Sequence, residues 1–297
     1  MPSWFLYTIL TVLLWGGWGF ASRLPGSRLS PEHTLVISTF GVLPILIALG
    51  LKGAARCSRA QRGPAAWALL AGLLGSAGNL ALYRLMNAGE RAATVVPLTA
   101  LYPLITIALA VPILKERLSG WQKGGVALAL GAIYLFNTTT DGATLDRWIL
   151  LALLPTALWG VAALLQKLSA QSLSGEVSTF WFLLGLIPVA SAMAALKGFP
   201  RDLSPSLWGL AVLIGLLLGL GNLTLLAAYA SDGKASVITP LSSLYPIVTV
   251  PLAVAFLGEK VGAREGFAIA LSLCSVAALS QERAAQTLTS PPASMSQ

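Results

Sequence analysis

Apolar residues fall in ten long runs along this chain, near 4–22, 34–50, 65–86, 92–114, 120–138, 147–167, 176–196, 206–229, 235–257 and 263–281, with the charged residues gathered between them. A hydrocarbon core about 30 Å thick needs about 20 apolar residues per helix. Each run therefore predicts one spanning helix, and the expected fold is an all-α polytopic membrane protein with ten transmembrane helices. Most connections are short, which makes neighbouring helices antiparallel. The 51–64 loop carries Lys52, Arg56, Arg59 and Arg62 and no acid. The positive-inside rule places such a loop in the cytoplasm, and the N-terminus with it. An even number of spans then puts the C-terminus inside too. Lys197, Arg201, Lys260 and Arg264 lean the other way, so the orientation rests on the 51–64 loop. The first run lacks a basic leader and is expected to stay as a helix rather than be cleaved. Residues 284–297 are rich in Ser, Pro and Thr and are expected to be a disordered tail.

The runs repeat. Leu14-Trp15-Gly16 matches Leu158-Trp159-Gly160 at a shift of 144, and Pro44 matches Pro188 at the same shift. Gly78-Asn79-Leu80 matches Gly221-Asn222-Leu223 at a shift of 143. That shift also superposes Pro97 on Pro240, Leu101-Tyr102-Pro103 on Leu244-Tyr245-Pro246, Thr106 on Thr249 and Glu116 on Glu259. Residues 78–116 share 16 identities in 39 positions with 221–259. The chain divides into a first repeat at 1–138 (helices 1–5) and a second at 147–281 (helices 6–10). Five is odd, so the second repeat enters the membrane from the opposite side. The expected architecture is two inverted five-helix repeats with a site between them at the midplane, served by alternating access.

Composition sharpens the class. Hydrophobic residues make up 56% of the 297 and charged ones 10%, against about 25% charged in soluble domains. Such a chain leaves no soluble apolar-in, polar-out solution, and disorder is excluded with it. The net charge of +8 would point to nucleic acid in a soluble protein, but here it sits in loops and is read as topology, with no nucleic-acid partner. Cys57 and Cys274 lie in unrelated places and no metal-ligand spacing exists, so neither a disulfide framework, a metal nor a cofactor is expected.

Two five-helix repeats, each opening with a Leu-Trp-Gly helix, resemble the EamA-type transporters of the drug/metabolite transporter superfamily. So do the fourth-helix endings Leu-Lys-Glu-Arg-Leu (114–118) and Leu-Gly-Glu-Lys-Val (257–261), each followed by a Gly-rich fifth helix. The resemblance covers about 4–281. It implies a multi-pass protein of the inner (plasma) membrane that exchanges a small-molecule substrate across the lipid bilayer. A chain holding both repeats can enclose its own site, so the expected state is a monomer or homodimer. The family's substrates range from amino acids to nucleotide sugars and quaternary ammonium compounds.

The candidate site lies on helix stripes. Thr11, Trp15, Trp18 and Ser22 share one face of helix 1, and Trp159 and Gln166 share one face of helix 6, with Ala162 between them. Asn79 and Tyr83 line up on helix 3, Asn222 and Tyr229 on helix 8, Thr99, Tyr102 and Thr106 on helix 4, and Ser242, Tyr245 and Thr249 on helix 9. The substrate-binding candidates are Trp15, Trp18, Asn79, Tyr83, Thr99, Tyr102, Trp159, Gln166, Asn222 and Tyr245. An Asn in a span must be bonded or wet. Asn79 and Asn222 therefore either meet substrate or cavity water, or bond one another across helices 3 and 8. Pro97, Pro103, Pro240 and Pro246 each free a helical carbonyl. They serve either as hinges beside the site or as static kinks.

No Asp or Glu lies deep in any run, which argues against a carboxylate proton relay. Arg84, a turn inside the third run, either snorkels to the interface or attracts a substrate carboxylate. Glu116 and Glu259 read as helix-end and loop contacts without a transport role, and His33 as a solvated loop residue. Two substrate classes fit the stripes. One is a small polar or zwitterionic metabolite such as an amino acid. The other is a quaternary ammonium such as choline in an aromatic cage. An intramembrane enzyme would need a nucleophile–base pair or an acid dyad, which the runs lack.

Overall fold

A computed structural model describes residues 2–114, 118–137, 147–200, 202–229, 231, 238, 241–279 and 281. Its regular elements are all helical: α1 (Ser3–Ala21), α2 (Pro31–Leu51), α3 (Arg62–Asn87), α4 (Ala92–Thr99), α5 (Tyr102–Leu114), α6 (Gly120–Asn137), α7 (Arg147–Ala170), α8 (Gly175–Lys197), α9 (Pro205–Tyr229), α10 (Pro246–Leu257) and α11 (Ala263–Leu279). Seven segments among the described residues are long and apolar enough to cross a membrane, with α4 and α5 counted as one. Helices α6, α10 and α11 occupy the other three runs but are shorter or less apolar.

The fourth span breaks rather than bends. A turn at Ala100–Leu101 separates α4 from α5. Pro103 consequently sits in the first turn of α5, where its missing N–H costs nothing. The second half does the same: Ser243–Tyr245 forms a turn, and Pro246 opens α10. The kinks expected within continuous spans at Pro103 and Pro246 are therefore helix starts. Pro97 does lie inside a helix. Pro240 lies outside the described residues, as do Glu116 and the 284–297 tail. His33 is a second correction. It belongs to the first turn of α2, capped by the Ser30 side chain, and its Nε2 is shielded from solvent rather than solvated.

Each half packs mainly on the other. Helix α1 lies on α9 as α7 lies on α3, α2 lies on α9 as α8 lies on α3, and α10 lies on α1 as α5 lies on α7. Every one of these pairs is its partner under the sequence shift, which is the signature of an isologous, two-fold arrangement. Side chains obey it as well. Thr106 Oγ1 donates to the Gly160 carbonyl at 2.9 Å, and Thr249 Oγ1 donates to the Gly16 carbonyl at 2.8 Å. Between α2 and α9, Gly41 and Gly215 bring the backbones into contact; between α3 and α8, Gly185 and Gly72 do so. Small residues permit this approach, and close packing is what holds helices together where lipid removes the hydrophobic drive.

Candidate functional site: a central cavity

The two-fold packing leaves a cavity of about 80 Å³ between the halves. Eight of the ten candidate residues line it: Trp15 and Trp18 from α1, Asn79 from α3, Tyr102 from α5, Trp159 and Gln166 from α7, Asn222 from α9, and Tyr245 just before α10. Tyr83 and Thr99 do not reach it. They stand behind its wall, where the Tyr83 hydroxyl accepts from Trp18 Nε1 at 3.2 Å and Thr99 hydrogen-bonds the Tyr245 hydroxyl. The other half's tyrosine is held in a similar way: Ser243 Oγ, one residue past Ser242, the equivalent of Thr99, donates to the Tyr102 hydroxyl at 2.8 Å. The broken fourth and ninth spans thus cross-bond: each turn carries the tyrosine of one half and the hydroxyl that holds the other half's tyrosine.

The Gly-Asn-Leu repeat now has a physical reading. A Cβ on Gly78 would overlap the Trp159 indole, and one on Gly221 would overlap the Trp15 indole. Glycine lets each indole lie flat against the opposite half, one residue before the asparagine that faces the cavity. Trp159 Nε1 donates to the Gly75 carbonyl at 3.3 Å. The equivalent acceptor in the second half, the Leu218 carbonyl, takes the Asn222 side-chain amide at 2.8 Å instead, and Trp15 Nε1 is buried without a partner among the described residues. Asn79 and Asn222 do not bond one another. The Asn79 and Gln166 side chains make no hydrogen bond among the described residues, so each offers the cavity a donor and an acceptor. Trp15 meets Tyr245 edge-on at 6.1 Å, and Trp18 meets Trp159 edge-on at 5.7 Å.

Other lining residues include Ala162, Ala163, Phe182, Leu186, Leu225 and Tyr229. Ala162 and Tyr229 fall on the sequence stripes; Phe182 and Leu186 of α8 carry no polar or aromatic periodicity that would single out that helix. Among the described residues, none of the lining side chains is Asp, Glu, Lys, Arg or His.

The described charged residues lie elsewhere. Arg84 Nη2 reaches Glu32 Oε1 at 2.8 Å, with the arginine side chain 58% exposed. An exposed pair of this kind contributes about 0–1 kcal/mol. Arg84→Ala is therefore expected to leave thermal stability and solute binding close to wild type in a melting assay; a lost ligand response would restore Arg84 to the site.

The family model for the EamA-like transporter family matches residues 2–138 and again 146–281. A solved structure described only as "Crystal structure of protein" superposes with a TM-score of 0.65 at 18% identity, covering 93% of this chain and 95% of its own, and so shares the fold. No curated protein sequence matches. With both of its halves matched by one family model, the chain belongs to the EamA-like transporter family of the drug/metabolite transporter superfamily.

Proposed function

We propose that this protein carries a small polar or zwitterionic metabolite, such as an amino acid, across the inner membrane by alternating access through the central cavity. The observation that carries this reading is the convergence of eight polar and aromatic residues, predicted from repeated stripes in both halves, on one cavity. Unengaged amides at Asn79 and Gln166, with the Asn222 side-chain oxygen, match a solute that both donates and accepts hydrogen bonds. Apolar walls at Ala162, Ala163, Phe182 and Leu186 match its hydrocarbon part. A quaternary ammonium has no N–H to give, so the amides favour the first substrate class over the second. With no carboxylate among the described lining residues, the reading favours facilitated movement over a buried-carboxylate proton exchange. Ten spans in two inverted repeats, with both termini cytoplasmic, complete the proposal. Since both halves build the cavity, one chain suffices for transport.

The test is a thermal-shift series on the purified protein with neutral amino acids, choline, sugars and nucleotides. A ligand that binds the folded state raises the melting temperature by linkage. Neutral amino acids are expected to raise it. A response to choline alone would move the reading to the ammonium class, and silence from both classes would overturn it.

A further inference from the structure

The cavity is lopsided in a molecule whose packing is two-fold. Gln166 and Tyr229 line it, yet their first-half equivalents Ser22 and Met86 do not, and are 4% and 1% exposed. The site is therefore packed shut at the end where α1 and α3 finish, and extends toward the end where α7 and α9 finish.

Just beyond Ser22 and Met86, the two halves are tied together by charge. Glu259, in the loop after α10, belongs to the second half. Its Oε1 accepts from the Ala92 backbone N–H at 3.0 Å, and its Oε2 accepts from the Ala93 N–H at 2.8 Å. Both donors open α4 of the first half, whose last residue, Thr99, holds Tyr245 in the cavity wall. The Glu259 side chain is 8% exposed, and Arg23 Nε, at the end of α1, lies 4.0 Å away. Arg91, the residue before α4, forms an ion pair with Glu265 and donates to the Lys260 carbonyl, again across the halves. A carboxylate on two free N–H groups at a helix start is a strong, charge-assisted contact.

We propose that Glu259 is a positioning residue of the transport cycle: it clamps the start of α4 to the second half, and so holds the site closed at this end. This rests on the transport reading above. Opening here separates the start of α4 from the α10–α11 loop, the gap that the two Glu259 contacts bridge. Glu259→Gln removes the charge at nearly constant shape and shifts the population toward the state open at this end.

The experiment uses single-cysteine reporters on a chain with Cys57 and Cys274 replaced by serine. Ser22→Cys reports the closed end, and Gln166→Cys reports the cavity toward the opposite end. Labelling by a polar maleimide is measured in detergent, where both ends are reachable. With Glu259→Gln, labelling at position 22 is expected to rise about tenfold and labelling at 166 to fall, as a population shift requires. Unchanged rates overturn the clamp. So does a rise at both positions, which is loosening rather than switching. If the glutamine variant does not fold, Glu259→Asp, which keeps the charge but shortens the reach, is expected to shift both reporters in the same directions. The readout needs no solute, so a failed clamp with a positive thermal-shift series leaves the transport reading standing. A working clamp with no ligand response would count against the proposed substrates alone.

Discussion

Gly215→Ala is expected to cost the protein its assembled fold, although it adds one methyl group. Gly215 sits mid-helix in α9, and a Cβ built there overlaps the Ser38 carbonyl oxygen of α2 and lies 3.0 Å from the Ser38 Cα. Its neighbour in the contact is Gly41, whose Cβ would in turn overlap the Val212 carbonyl. Backbone meets backbone here, so no side chain can swing aside; two regular helices must separate. Overpacking that flexible side chains absorb costs about 1–3 kcal/mol, and a rigid contact is expected to exceed that range. Gly72→Ala, its equivalent between α3 and α8, is expected to do the same damage, because its Cβ overlaps the Phe182 carbonyl. Gly209 supplies the control. It lies in the same helix α9, and a Cβ there meets nothing within 4 Å. Gly209→Ala is expected to melt at or slightly above the wild-type temperature, since alanine is the better helix former. Fluorescence-detected melting in detergent checks all three. Equal melting of Gly215→Ala and Gly209→Ala would show that α2 and α9 do not touch as described.

The repeat made the halves and the stripes legible before any coordinates. Trp15 and Trp159, Asn79 and Asn222, and Tyr102 and Tyr245 all reach the cavity, and for the two asparagines the reason is plain, since an amide left unpaired in lipid is costly. What sequence reading missed was missed for physical reasons. Phe182 and Leu186 look like any lipid-facing residue, and only the crossing of α8 over α3 turns them inward. Tyr83 and Thr99 share the stripe chemistry but support the wall from behind, a distinction of a few ångströms that helical periodicity cannot draw. Pro103 and Pro246 mark a disruption in the correct place, yet whether a helix kinks or restarts there depends on what receives the freed groups. Glu259 read as a loop contact. Its partners are backbone N–H groups 166 and 167 residues away, which no side-chain pattern records.

Ala162→Trp is expected to abolish solute binding while leaving the empty protein as stable as wild type or more so. The two halves differ at this position. At the position equivalent to Ala162 the first half has Trp18, 4% exposed, edge-on to Trp159 and donating to the Tyr83 hydroxyl. The second half has Ala162 and Leu226 in those places, and the cavity runs over Ala162. An indole at 162 would point toward Trp15 as Trp18 points toward Trp159, and would occupy much of a cavity of about 80 Å³. Filling apolar space gains stability at about 25 cal/mol per Å² buried. A solute competing for that space then loses at least about 100-fold in affinity, or about 2.8 kcal/mol. A thermal-shift titration with the best wild-type ligand reads both effects at once, as the starting melting temperature and as its rise with ligand. A full ligand response in Ala162→Trp would mean that solute does not pass over this residue. A low starting temperature would mean that Phe182 and Leu186 already fill the space and that the asymmetry at Ala162 is a matter of packing. A stable protein that no longer responds would identify the exchange of tryptophan for alanine as what makes room for substrate in an otherwise two-fold core.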